Sequence, residues 1–338
     1  MLSKITEIRK GTTITKENTE KGSIPVIAGG QNPAYFHNKF NRDKNVITVS
    51  ASGAYAGFIN YFEKPIFASD CNTIISNDET IIPTKLIYHF LKSIQNEIYY
   101  LQRGQAQPHV YADDLMKIKN PFPPIKIQQK IVSEIEVLEA RETKAKSAIE
   151  NAKENIKNLF NQLEVKATKT VRLSDENIFE VSIGKRVLKR EFVPSGNIPV
   201  YSANVIQPFG NIDKLLIEDF SKPSVLWGID GDWMVNYLPS NYPFYPTDHC
   251  GFLRVKDNSI NEKYVAFILE KEGKAFEFSR TKRASIDRIQ GIKIPLPPIS
   301  EQQKIVSEIE KVEAKILILE KQIERIPKQK EAILKKHL

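Results

Sequence analysis

Cysteine is almost missing from this chain: Cys71 and Cys250 are the only two in 338 residues. A disulfide framework is excluded, and no cysteine set for a zinc site remains. Long apolar runs are missing as well, none approaching the ~18 residues that cross a bilayer. The opening Met1-Leu2-Ser3-Lys4-Ile5 lacks the apolar core of a secretory signal, so the cytoplasm is the expected compartment. No Gly-x-x-x-x-Gly-Lys-[Ser/Thr] loop occurs, and with it goes any sign of nucleotide hydrolysis.

Three stretches imitate sites without making one. Asn120-Pro121-Phe122-Pro123 approaches the Asn-Pro-Pro-aromatic motif of amino-methyltransferases, but lacks the adjacent prolines and any glycine-rich cofactor loop upstream. Asp248, His249 and Cys250 are neighbours in sequence, which does not supply a ligand cage; a packing role is the simpler reading. Asp230-Gly231-Asp232 reads as a tight turn before Trp233 rather than a carboxylate pair. No catalytic residue and no metal site is assigned.

What is present is one phrase written twice. Pro121-Phe122-Pro123-Pro124-Ile125 runs into Gln128-Gln129-Lys130-Ile131-Val132-Ser133-Glu134-Ile135-Glu136. Pro295-Leu296-Pro297-Pro298-Ile299 runs into Gln302-Gln303-Lys304-Ile305-Val306-Ser307-Glu308-Ile309-Glu310. The offset is constant (295 − 121 = 174), which points to duplication of a unit of about half the chain. After each copy, apolar residues recur at alternating steps of four and three, the seam of a left-handed coiled coil. The first seam is Ile131, Ile135, Leu138, Ile149, Ile156, Leu159 and Leu163, with Ala145 and Ala152 between; the second is Ile305, Ile309, Val312, Ile316, Leu319, Ile323, Ile326 and Ile333. Glu142, Lys330 and His337 interrupt the stripes. A helix over 126–164 would be roughly 58 Å long and would need a partner, for which the other copy is the obvious choice. Two equivalent units sharing a seam imply a pseudo-two-fold axis, met by antiparallel helices with one globular domain at each end. Ser300 with Gln303 resembles a capping box, and Pro327 should kink the second helix or loosen its last turns.

The expected fold is therefore α+β: two globular mixed α/β domains, separated by a pair of long antiparallel coiled-coil helices. The boundaries are 1–120 for the first domain, 121–164 for hinge and helix, 165–294 for the second domain, and 295–338 for the second hinge and helix. Strands are predicted at 45–51, 57–62 and 71–76, then a helix over 84–101. Strands at 224–229, 233–238 and 251–255 and a helix over 261–280 repeat that order. Ser69-Asp70-Cys71 is echoed by Thr247-Asp248-His249-Cys250.

The chain carries 49 basic and 41 acidic residues, a net charge of +8. The excess is three in each of 1–125 (fourteen to eleven) and 165–295 (nineteen to sixteen), as expected if both globular segments touch one polyanion. Their loops mix cations, amides and aromatics suited to base edges and phosphates. Candidates in the first domain are Gln31, Asn32, Ser50, Ser52, Tyr55, Arg103, Gln105 and Gln107. In the second they are Lys185, Arg186, Lys189, Arg190, Asn204, Trp227, Asp230, Trp233, Arg280, Lys282 and Arg283.

With the Pro-x-Pro-Pro-Ile-x-x-Gln-Gln-x-Ile-Val signature at both 121–132 and 295–306, the whole chain resembles the specificity subunits of type I restriction–modification systems. The family's usual Glu before the Gln is present as Glu301-Gln302, whereas the first copy has Ile127. The resemblance implies two target-recognition domains, each reading half of a split, asymmetric site in double-stranded DNA, with the helices as a ruler. It implies two methyltransferase subunits that carry S-adenosylmethionine and methylate adenine, and restriction subunits driven by ATP and Mg2+; this chain itself would hold no cofactor and perform no chemistry. Half-site centres about one helical turn, ~34 Å, apart would follow. A two-headed coiled-coil adaptor binding proteins is the alternative, and an autonomous nuclease or methyltransferase is disfavoured by the missing motifs.

Overall fold

The computed structural model describes residues 1–104, 106–119 and 122–337, apart from the side chains of Glu164 and Val165. Gln105, and Asn120 and Pro121 at the head of the first hinge, lie outside the described residues. The chain divides into two compact units, one of residues 1–147 with 319–338 and one of 148–318.

In the first unit the strands are β1 (Thr6–Lys10), β2 (Ile24–Ile27), β3 (Tyr35–His37), β4 (Val46–Ser50), β5 (Ile59–Phe62), β6 (Phe67–Ala68) and β7 (Cys71–Ser76). Short helices α1 (Thr84–Ser93), α2 (Gln95–Tyr99) and α3 (Ala112–Met116) follow, and then the long α4 (Ile125–Lys166). The helix expected over 84–101 is broken at Ile94, whose backbone is non-helical. The main sheet has the order β1-β7-β4-β5. Its central strand β4 is buried along its whole length, as its β-branched run requires. Ile47 and Val49 point to the helical side, against Ile87, Phe90, Leu91 and Ile98. Val46, on the other face, packs with Ile27 and Ala68 of the smaller sheet β3-β2-β6, with Ile66 just before β6 and with Cys71 at the start of β7.

The second unit contains β8 (Lys169–Arg172), β9 (Phe179–Ile183), β10 (Ile198–Tyr201), β11 (Gly210–Ile212), β12 (Ser224–Gly228), β13 (Val235–Leu238), β14 (Tyr245–Pro246) and β15 (Cys250–Val255). These are followed by α5 (Glu262–Ala275), α6 (Ile286–Gln290), β16 (Lys293–Leu296) and the long α7 (Ile299–His337). Its main sheet, β9-β15-β12-β13, and its small sheet, β11-β10-β14, repeat the first unit strand for strand. In both small sheets the middle strand is antiparallel to one neighbour and parallel to the other. Val225 and Trp227 lie on the α5 side, and Leu226 on the small-sheet side with Tyr201, Phe244 and Phe252. Gly251 makes room for this tryptophan: a Cβ there would sit 2.1 Å from the Trp227 ring.

The duplicated phrase has a physical explanation that its spelling alone does not disclose. Each long helix begins on a proline carbonyl: Pro124 O accepts from the amides of Ile127 and Gln128, and Pro298 O from those of Glu301 and Gln302. The first motif glutamine then folds back and donates through its side chain, Gln128 to Pro123 O at 2.7 Å and Gln302 to Pro297 O at 2.9 Å. Both glutamines are buried. Ser300 is thus inside the first turn, not at a cap, and the expected capping box does not form. The second hinge is no free linker either, since β16 pairs antiparallel with β8.

Within the first unit, Ile131 and Ile135 of α4 pack with Leu334 and Leu86, and Lys330 reaches Glu139 and Glu142. Within the second, Phe160 and Leu163 pack with Ile305, Val306 and Ile309, and Lys166 meets Glu301 at 2.8 Å. In each unit the two helices therefore run antiparallel. Phe160, Val306 and Leu334 are buried although they lie off the 4-3 stripe, because in each unit the helix ends also touch the globular part of that unit. Helix α7 continues through Pro327 to His337, and Leu334 beyond it is docked, so the last turns are held rather than loosened. One ion pair is repeated too: Lys85–Glu136 at 3.2 Å and Lys263–Glu310 at 2.5 Å tie the sheet-side helix to the long helix.

Candidate nucleic-acid interface

A strand that ends must release its chain into a loop, and parallel placement of β2 beside β6 brings several such loops to one end of the sheets. In the first unit the loops after β2 and β4, the turn before β7 and the segment 108–110 converge there. Ser69 N donates to Ile27 O at 2.7 Å, Ala51 N to Asp70 O at 3.2 Å, Val110 N to Ala51 O and Gly53 N to Pro108 O, each at 3.0 Å. The second unit repeats the frame: Thr247 N donates to Tyr201 O at 2.9 Å, Ile229 N to His249 O at 3.1 Å, and Ala284 N to Ile229 O at 2.8 Å. The chain leaving the edge strand, β1 or β9, must pass very close to this turn. A Cβ on Gly11 would lie 2.0 Å from Ser69 O, and one on Gly184 would lie 1.8 Å from Pro246 O. Only glycine fits at either place.

On this common frame the side chains differ. In the first unit the Ser52 hydroxyl donates to the Asp70 carboxylate, and a hairpin held by Arg103 and His109 backbone bonds carries Gln107 at its tip. The Arg103 guanidinium is largely exposed, lies 2.6 Å from Asp114, and sits over the Tyr111 ring. In the second unit His249 Nδ1 lies 3.0 Å from both carboxylate oxygens of Asp230, and Arg283 approaches the same carboxylate at 3.8 Å. Two equal frames bearing unlike polar groups are what two different readings of one polyanion would use.

The sequence profile described as the type I restriction modification DNA specificity domain matches residues 1–155 and, a second time, 166–328. The chain belongs to this family. A type I specificity subunit of Mycoplasma pneumoniae is 27% identical over 203 residues, covering 56% of this chain and 79% of that protein. Among solved structures, the S subunit of a type I restriction–modification system from M. genitalium superposes with a TM-score of 0.68 at 20% identity. It covers 100% of this chain and 94% of that one. A chain from work on complex assembly and conformational transition of the type I R-M system gives 0.56 at 16% identity, covering 99% and 96%. At these identities the structural likeness speaks for the fold. As a DNA specificity chain, the molecule has sequence recognition as its role, and the protein-binding adaptor reading finds no support.

The specificity chain places the expected contact residues unevenly. Gln31, Asn32, Tyr55, Arg103 and Gln107 are exposed around the loop cluster of the first unit, as are Asn204, Arg280, Lys282 and Arg283 in the second. Lys185 and Arg186 are exposed at its edge, where Lys185 N donates to Pro246 O. Lys189 and Arg190 are exposed on a short turn farther along. Four expectations are corrected. Ser50 is buried with its hydroxyl bound to Gly29 O, and Ser52 is buried against Asp70. Trp227 is fully buried with Nε1 donating to Ala284 O, and Trp233 donates to Glu270 O while packing on Phe278. These side chains hold the loops rather than face a ligand, because hydroxyls and indoles without a partner are costly beside a core.

Asp70, His109 and His249 also lie in the loop clusters, the first and last at the place that the echo of 69–71 in 247–250 marks. Among the described residues no group of three His, Cys, Asp or Glu could hold a metal ion. Cys250 is buried, and burial pushes its thiol far above the usual range, as a packing residue's would be. Gly231 takes φ of 94°, the turn conformation expected between Asp230 and Asp232. No helix among the described residues is long and apolar enough to cross a membrane.

Proposed function

We propose that this specificity chain reads a bipartite, asymmetric site in double-stranded DNA, one half with the loop cluster of each unit. Cations at the rims (Lys185, Arg186, Arg280 and Lys282) hold phosphates, while Gln31, Asn32, Arg103, Gln107, Asn204 and Arg283 reach base edges. The chain performs no chemistry and works in the cytoplasm. Two methyltransferase subunits, one per near-identical helix start, bring S-adenosylmethionine and modify adenine; restriction subunits, where present, bring ATP and Mg2+. One observation carries this reading: the same strand order and loop hydrogen bonds occur twice, yet the groups displayed on them differ. Duplication of a binding frame followed by divergence of its display is the route to two unlike half-sites.

The test is to exchange residues 1–120 for the corresponding segment of a relative and map the sites modified in cells. One half of the recognition sequence should change and the other persist. Change in both halves, or in neither, would refute the division of labour.

A further inference from the structure

Matching hydrogen bonds allow residues of the two units to be equated one by one. Ala51 N to Asp70 O corresponds to Ile229 N to His249 O, and Val110 N to Ala51 O corresponds to Ala284 N to Ile229 O. Position 70 is therefore 249, and 51 is 229; since Thr247 matches Ser69, Asp248 is one extra residue of the second unit, its carboxylate 4.0 Å from His249 Nε2. One residue beyond the second pair, Ser52 is equivalent to Asp230; one residue before the third, His109 is equivalent to Arg283. Ser52 and His109 face each other as a β-bridge pair. In both units these three positions lie together. They form a Ser–Asp–His set in the first unit and an Asp–His–Arg set in the second.

The surroundings of the two sets are alike and their chemistry is not. In the first unit the carboxylate stands at position 70 and is bound by the Ser52 hydroxyl. In the second it has moved to the partner position, 230, where it faces an imidazole and a guanidinium. The Asp230 carboxylate is about three-quarters buried, while His249 and Arg283 are roughly half exposed at 45% and 54%. A shielded acceptor between two outward donors is a bracing arrangement. It restrains the long guanidinium by charge-assisted contact and leaves donors free for a planar acceptor pair.

We propose, on the reading that these loop clusters contact DNA, that two of the three equivalent positions, 70/249 and 109/283, are where each unit discriminates bases, with the shielded position 52/230 bracing them. In the second unit Asp230 acts as a positioning residue for Arg283, which reads a guanine through O6 and N7. The first unit, with His109 in place of the arginine and Asp70 as its carboxylate, reads a different base there. A cytosine amino group is the complement of a carboxylate such as that of half-buried Asp70.

The experiment selects duplexes from a random pool with the full chain and its variants Arg283→Ala, Arg283→Lys, Asp230→Asn and Asp70→Asn, and measures the salt dependence of each. Arg283→Ala is expected to make one base position in one half-site degenerate, with discrimination falling roughly tenfold to a hundredfold. Asp230→Asn should relax the same position with Arg283 intact, and Arg283→Lys should restore it only in part. Asp70→Asn should affect the other half-site alone. Uniform loss across all sequences, or relaxation of both halves by one variant, would overturn the assignment while leaving DNA contact by the loops standing. Unchanged selection and unchanged salt slope in Arg283→Ala combined with Arg280→Ala and Lys282→Ala would instead remove the loop cluster from the interface. If Asp230→Asn lowers the unfolding midpoint by more than a few degrees, Arg283→Lys against Arg283→Ala decides the case. Both alter an exposed group, and equal selection by the two would overturn the base contact.

Discussion

Replacing Gln302 by alanine should destabilise the second unit far more than replacing Gln128 destabilises the first, although the two occupy the same place in the repeated phrase. The Gln302 amide is fully engaged: Nε2 donates to Pro297 O at 2.9 Å and to Ser259 O at 3.3 Å, and Oε1 accepts from Asn261 N at 2.9 Å. Asn261 in turn caps α5 through Tyr264 N at 2.9 Å. Gln128 makes a single bond to Pro123 O, and its Oε1 has no partner among the described residues. At about 1 kcal/mol net per bond, with buried groups left unsatisfied, Gln302→Ala costs about 3 kcal/mol and Gln128→Ala about 1.5 kcal/mol. Both tryptophans, Trp227 and Trp233, lie in the second unit, so their fluorescence follows that unit alone, whereas far-ultraviolet dichroism follows both. With a urea slope of about 2 kcal/mol per molar, Gln302→Ala should lower the fluorescence midpoint by about 1.5 M. Gln128→Ala should leave that midpoint in place and shift only part of the dichroism curve. A loss below about 0.5 M for Gln302→Ala, or an equal effect of Gln128→Ala, would refute the reasoning.

His89 is buried between Glu139, Lys330 and Lys85, and burial, helped by those two lysines and opposed by Glu139, lowers it to about 4. The unfolded chain thus binds more protons between pH 6.5 and about 4. Stability is complete above pH 6.5 and is lost as pH falls through that window, by at most about 3 kcal/mol. His89→Phe, which copies the equivalent Phe267, should flatten the dependence when unfolding is followed by dichroism at pH 7 and pH 4.5. Gly11→Ala and Gly184→Ala should each cost about 1–3 kcal/mol in denaturant titration, since backbone oxygens stand where the new methyl would go. Lys185→Ala and Arg186→Ala should each lower the slope of log affinity against log salt by about one, without changing the bases selected.

Much of the frame was legible from local pattern. The strands around Ile47 and Ile74 carry β-branched runs and those around Leu226 and Leu253 apolar runs, all between turn residues, and all four lie within a residue or two of where the pattern set them. The helical stripes were legible for the same reason, since periodicity is a property of neighbours. The exposure of loop cations such as Arg103 and Arg283 could be read from sequence because charge resists burial. Tryptophans could not be sorted that way: Trp227 is core because Gly251, distant in sequence, vacates the space for its ring. Nor could serines, whose hydroxyls serve solvent or backbone equally well until Gly29 O or Asp70 is brought beside them.

By itself the sequence determined the duplication, the two seams, the strand-rich heads and the sharing of positive charge, all of which rest on residues close along the chain. Only the tertiary structure decided what the motif glutamines are for, and that Asp70 and His249 occupy one place in two units. Those facts depend on hydrogen bonds spanning tens of residues, such as Val110 to Ala51 and Gln302 to Asn261. Such closures follow from strand order and loop path, which no periodicity encodes.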